Sequence, residues 1–243
     1  MIPMNTEKRE AFLENLRALR RVLVVSVIGV VVLFLILFYG FCDPLMDLIL
    51  APVRNRGINM IATAVSEALL TKFKVCLVAA VVCAMPLIMQ QIWSFVSPAL
   101  YPQEKKMFAA LFFVALILFI GGVVFCCFFV FPLAIDLFWA SAEGVASTMW
   151  SVQEYYNFVL SFVLPFGVMF ELPVILYMLA KKDKVTYESL AKYRKYVVLV
   201  IAIAAAILTP PDVVSQLMLG IPMYLLYEIS VQIVRVMKRH KPA

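Results

Sequence analysis

The sequence predicts an all-α, polytopic membrane protein of six transmembrane helices, the fifth and sixth short, with both termini on the cytoplasmic side. Three observations predict it. Hydrophobic residues make up 65% of the 243 and charged residues only 15%, where a soluble domain has roughly 45–50% and about 25%. Mean hydropathy is +0.99. The apolar residues gather into runs of about the 20 residues that a helix needs to cross a bilayer. Finally, 17 of the 21 Lys and Arg fall in alternate connecting segments. One core of this length cannot hide so much apolar surface, so lipid must be the solvent. A single membrane domain is expected over 1–243.

The elements follow in order. Residues 1–21 are an amphipathic cytoplasmic segment carrying Lys8, Arg9, Arg17, Arg20 and Arg21. The apolar run at 22–41 is too long for a signal-peptide core and precedes no small-residue cleavage site, so it is expected to remain as the first span. The second span lies at 71–89, its run Phe73–Met89 ending near Pro86. The third, at 107–131, is long enough to span with tilt. The fourth, at 155–180, contains Pro165 and Pro173, which should kink it. Ser151-Val152-Gln153-Glu154 before it is a capping-box pattern that marks its start. The fifth span, 196–208, is short. The sixth, 213–234, contains Gln216, Pro222, Glu228 and Gln232. Pro210 and Pro211 stop the helix between them, and Asp212 is placed to cap the next one. A tight hairpin that barely reaches the far surface is expected there, met by bilayer thinning or snorkelling.

The basic segments are 1–21, 90–106, 181–195 and the tail 235–243; the opposite side holds only Arg54, Arg56, Lys72 and Lys74. By the positive-inside rule the basic side is cytoplasmic. The net charge of +6 therefore reflects topology and anionic lipid rather than nucleic acid.

No enzyme motif stands out: no phosphate loop, metal cluster or Ser/His/Asp set, and the single histidine is His240. Neither a metal nor a cofactor is expected. The five cysteines, Cys42, Cys76, Cys83, Cys126 and Cys127, lie in or beside apolar runs without ligand spacing and read as packing residues. The informative residues are acids. Glu171 stands inside the fourth span, where a charged carboxylate costs about 2.5–3.5 kcal/mol on insertion scales; it is read as functional, against an acid neutralised by its surroundings. Glu228 reads as a structural partner of Arg235 or Lys195. Glu104, after Pro102 and before Lys105-Lys106, would serve as a first-turn acid offsetting the helix dipole. Gln91 and Gln216 are further polar residues at membrane depth. Pro52, Pro210 and Asp212 are candidate structural residues of the far-side loops.

The neighbourhood of Glu104 is Gln91-Ile92-Trp93-Ser94-Phe95-Val96-Ser97-Pro98-Ala99-Leu100-Tyr101-Pro102-Gln103-Glu104. It resembles the first cytoplasmic loop of the TatC family, where a Trp-x-Phe-x-x-Pro-x-Leu-x-x-x-Glu run ends in an acid that recognises a signal peptide. Matches to the same family follow in order: Met60-Ile61-Ala62-Thr63 with Ser66-Glu67-Ala68, Phe128-Phe129-Val130-Phe131-Pro132, Phe166-Gly167-Val168-Met169-Phe170-Glu171-Leu172-Pro173, Arg194-Lys195-Tyr196, and Leu208-Thr209-Pro210-Pro211-Asp212-Val213-Val214-Ser215-Gln216 with Ile221-Pro222-Met223-Tyr224 and Glu228. The resemblance runs from about Leu16 to Val234.

It implies a signal-peptide receptor and core subunit of a twin-arginine translocase in a bacterial or archaeal cytoplasmic membrane, exporting folded proteins on the proton motive force. Glu104 and Phe95 are the implied binding residues. TatA- and TatB-type single-span subunits and further copies of the chain are the implied partners, with Gln216 and the faces of the last two spans as docking sites. The family's His-Leu-x-Glu-Leu-Arg start is altered here to Asn15-Leu16-Arg17-Ala18-Leu19-Arg20. Glu14 and Glu10, one helical turn apart, are candidates for the second acid; otherwise they pair with Arg17 and Lys8. The rival class is a proton-coupled secondary transporter using Glu171, which should show internal repeats or paired broken helices; the sequence shows neither. An insertase of the YidC type would need a cation in mid-span.

Overall fold

The computed structural model describes residues 6–62, 64–96, 102–142, 149–209 and 212–239. Among them, α1 (Thr6–Gly40), α2 (Cys42–Arg54), α3 (Glu67–Val96), α4 (Pro102–Phe125), α5 (Phe131–Ala142), α6 (Val152–Met169), α7 (Leu172–Lys181), α8 (Tyr187–Leu208) and α9 (Val213–Arg239) make an all-α bundle. Strands β1 (Asn59–Ile61) and β2 (Met149–Ser151) pair in parallel at one end. Among the described residues, five stretches are long and apolar enough to cross a membrane: Leu16–Gly40, Glu67–Phe95, Met107–Ser141, Val152–Lys181 and Val213–Met237. The apolar part of α8, Tyr196–Leu208, is only about 20 Å long at 1.5 Å per residue.

α1 and α3 lie antiparallel. Phe34 meets Phe73 edge-on at 4.8 Å between ring centroids, and a Cβ on Gly29 would touch Leu87 at 3.0 Å. The other face of α1 carries exposed Leu23, Val27, Val31 and Leu35, as a lipid-facing surface requires. Between the two helices runs α2. Its Leu45, Met46, Ile49, Leu50 and Val53, at helical spacing, pack into the core, while Asp47 and Arg54 pair on the exposed face at 2.8 Å. The hydroxyls of Tyr155 and Tyr156 donate to the carbonyls of Ile49 and Met46, and so bind α2 to α6.

The expected third span, 107–131, is part of a longer run of helix. Helix continues from Pro102 to Ala142 through a π turn at Cys126–Val130. Pro132 has no N–H to give and its ring crowds the preceding turn, and the wider turn absorbs that conflict. The fourth span is broken once rather than kinked twice. Pro165 sits inside an unbroken α6, whereas Pro173 opens α7 after the break at Phe170–Glu171. The last hairpin carries the expected cap: the carboxylate of Asp212 accepts from the Ser215 N–H at 2.7 Å.

The main core lies between α2, α3, α5, α6 and α9, around Tyr156, Phe162, Phe166, Leu219 and Met223. α4 crosses α6 closely because two glycines meet it. A Cβ on Gly122 would lie 2.7 Å from the Phe166 carbonyl oxygen, and one on Gly167 would lie 2.6 Å from the Phe119 ring. Small residues permit such approach where lipid supplies no hydrophobic drive between helices.

Candidate functional site

Glu171 occupies the break between α6 and α7. The break arises because Pro173 withholds a backbone donor, and it turns the acid inward. Glu171 is 6% exposed, and its Oε1 has no hydrogen-bond partner among the described residues. It ends a cavity of about 320 Å³ between α3, α4 and α7, walled by Met89, Trp93, Phe108, Phe112, Ala115 and Met178. Methionine and aromatic walls make an adaptable apolar surface. Across Trp93 and Phe112 a second cavity of about 590 Å³ opens, lined by Pro86, Leu87, Gln90 and Phe113. The Trp93 ring stands 5.9 Å from Phe108 and 6.3 Å from Phe112, so it is the partition between the two.

Phe108 lies one helical turn beyond Glu104. Pro102 opens α4, so Glu104 stands in its first turn, where an acid is favoured by the exposed N–H groups; its side chain lies outside the described residues. Phe95 is half-exposed near the end of α3. Glu14 is exposed on α1, and the side chain of Glu10 lies outside the described residues. Because α1 runs antiparallel to α3, its N-terminal part, with Glu14 and Glu10, lies toward the end of α3 that carries Phe95. Glu104, Phe95, Glu14 and Glu10 therefore gather at one end of the bundle, above the Glu171 cavity. Gln91 is half-buried on α3 and does not line that cavity.

The remaining predicted residues lie elsewhere. Gln216 is half-buried on α9 and donates its amide to the Ala202 carbonyl at 3.0 Å, latching the α8–α9 hairpin. Glu228 pairs with Arg194, not with Arg235 or Lys195. Arg194 enters from α8 at 2.5 Å, and Gln232 adds a hydrogen bond at 3.0 Å. Arg235 instead lies over the Tyr187 ring. Pro52 lies inside α2, its carbonyl accepting from Arg56, which also pairs with Asp136 at 2.7 Å. Pro210 lies outside the described residues.

One residue was missed. Glu67 is fully buried at the strand-bearing end. Its Oε2 accepts from the Ala64 N–H at 3.0 Å, and its Oε1 from the Gln153 N–H at 2.7 Å and the Ser151 hydroxyl at 3.1 Å. The Ser151 hydroxyl in turn accepts from the Glu154 N–H. Glu67 thus supplies, from 86 residues away, an acceptor to the N-terminus of α6. An acid opening an apolar run after a serine was the available signal, but the partner was not readable.

The matched family model, described as Sec-independent protein translocase protein (TatC), covers residues 14–222. The chain is 40% identical over 233 residues to the Sec-independent protein translocase protein TatC of Carboxydothermus hydrogenoformans, covering 96% of each. It is 35% identical to that of Escherichia coli K12 over 231 residues, covering 94% of this chain and 89% of the relative. A crystal structure of a twin-arginine translocase receptor, TatC, superposes with a TM-score of 0.85 at 35% identity, covering 91% of this chain and 98% of that one. Together with an all-α membrane bundle holding a buried acid over an apolar cavity, these matches show that the chain belongs to the TatC family of Sec-independent protein translocase proteins.

Proposed function

We propose that the chain is the signal-peptide receptor and core subunit of a twin-arginine translocase in the cytoplasmic membrane. It captures, on the cytoplasmic side, the signal peptide of a folded substrate. The observation that carries this reading is the stacking of an acid-bearing helix start on an apolar cavity. Glu104 stands in the first turn of α4, Phe108 one turn further on lines the cavity, and Glu171 lines it too. A peptide with a polar arginine pair and an apolar core needs that order of surfaces.

A guanidinium makes two parallel charge-assisted hydrogen bonds to a carboxylate, and lysine lacks that geometry. Each such bond is worth about 1.5–3 kcal/mol when partly desolvated, but an open surface pair only about 0–1 kcal/mol. Recognition of two arginines therefore calls for a second acid, and Glu14 or Glu10 on α1 is at the right end of the bundle. Phe95 adds an apolar contact beside the pair.

Six spans with both ends cytoplasmic agree with the basic asymmetry. In this reading the β1–β2 end faces away from the cytoplasm. The chain has no nucleotide-binding loop, so the work of export comes from the proton motive force. TatA- and TatB-type subunits dock on α8 and α9 beside Gln216, whose amide oxygen makes no bond among the described residues; polar groups in lipid favour such partners. Further copies of the chain complete the complex.

The test is photo-crosslinking of a twin-arginine signal peptide to the inserted protein. Glu104→Ala or Glu104→Lys should lower capture by about tenfold or more with insertion unchanged. A two-lysine peptide should be captured equally poorly by the native chain. Normal capture by the Glu104 variants, or equal capture of both peptides, overturns the reading.

A further inference from the structure

At the strand-bearing end, a cavity of about 400 Å³ opens between α5, α6 and α9, remote from the Glu171 cavity. Phe138, Trp150, Tyr155 and Phe158 wall it, and two carboxylates, Glu154 and Asp212, reach it. Among the described residues no Lys or Arg lines it. The Tyr155 hydroxyl is turned away to the Ile49 carbonyl, so the ring presents only its apolar body. Asp212 spends one oxygen on the Ser215 N–H and keeps the other. The Glu154 carboxylate makes no bond among the described residues; Glu67 takes the neighbouring Gln153 N–H and Ser151 hydroxyl. Ser215 also lines the cavity, is fully buried, and its hydroxyl oxygen has no partner among the described residues.

A buried hydroxyl without a partner is costly and marks an absent one. Two anionic groups and a hydroxyl acceptor against aromatic walls match one chemistry. A primary ammonium carries three N–H donors and no acceptor, and aromatic faces attract its charge. A guanidinium would waste its planar fork on acceptors spread over two helices. A divalent cation would leave the aromatic walls unused, and no cluster of three or more His, Cys, Asp or Glu is present among the described residues.

We propose that this cavity binds a primary ammonium group, presented by an ethanolamine lipid headgroup or by a free amine of the same kind. The cavity lies where α6 and α9 begin and α5 nears its end, at the level where a headgroup would meet them. The site is separate from signal-peptide capture and does not depend on it.

Native mass spectrometry of the full chain in detergent tests the proposal, with phosphatidylethanolamine and phosphatidylglycerol of identical acyl chains as probes. The native protein should retain phosphatidylethanolamine about fivefold better. Glu154→Gln, which removes no bond among the described residues, and Glu154→Gln with Asp212→Asn, which keeps a helix cap, should abolish that preference. Ser215→Ala should weaken it, and Asp43→Asn on α2 should not. Ethanolamine as competitor separates the sources. Displacement of the lipid assigns recognition to the ammonium alone, and retention with the preference intact assigns it to the anchored headgroup. Equal retention of both lipids by the native chain, or an unchanged preference in Glu154→Gln and the double variant, overturns the proposal.

Discussion

Four acids in this chain do different work because their surroundings differ. Glu67 is buried but satisfied, accepting two backbone N–H groups and a hydroxyl. Replacing it with alanine strands those donors in the interior. Glu67→Ala should destabilise the protein by about 2–4 kcal/mol, read as a lower unfolding midpoint in detergent, with Glu67→Gln falling between. Glu171 is buried and incompletely bonded. Since an intramembrane carboxylate opposes insertion, Glu171→Gln should insert at least as well as the native residue, measured by membrane fractionation. Its loss from the membrane would make the acid a structural requirement. Asp212 and Ser151 were legible in the sequence, because a cap binds donors two or three residues away. The partner of Glu228 was misread. Arg235 and Lys195 are near in sequence or at the right depth, but only the crossing of α8 and α9 selects Arg194.

At the scale of elements, apolar length located the spans, and what interrupted it was harder to read. α2 went unpredicted because its 13 residues are too few to span, and Asp43, Pro44, Asp47 and Pro52 disguise its apolar stripe. The π turn was invisible for another reason. A proline states that a donor is missing, not whether the helix will break, as at Pro173, or widen and continue, as before Pro132. The α4–α6 crossing yields a sharp contrast between neighbours. Gly122→Ala meets the Phe166 backbone and should cost about 1–3 kcal/mol. Gly121→Ala meets nothing within 4 Å and should be neutral or slightly stabilising. Thermal unfolding of the two variants checks both, and equal losses would show that the crossing is loose.

For the whole molecule, orientation is the testable quantity. In a cysteine-free background, Val65→Cys near the strands should react with a membrane-impermeant maleimide in intact cells. Lys184→Cys, in the basic α7–α8 connection, should react only after permeabilisation; the reverse pattern would invert the topology. The sequence by itself determined that lipid is the solvent and where most apolar helices lie, and it sets the expectation for which connecting segments share a side. Those properties sum residue by residue along the chain, as transfer free energy and charge do. Only the tertiary structure decided that Glu67 caps α6, that Trp93 parts two cavities below Glu104, and that Glu154, Asp212 and Ser215 face one pocket. Each needs residues from separate helices at bonding distance, and that follows from how the helices cross, which small residues, prolines and packed side chains set together.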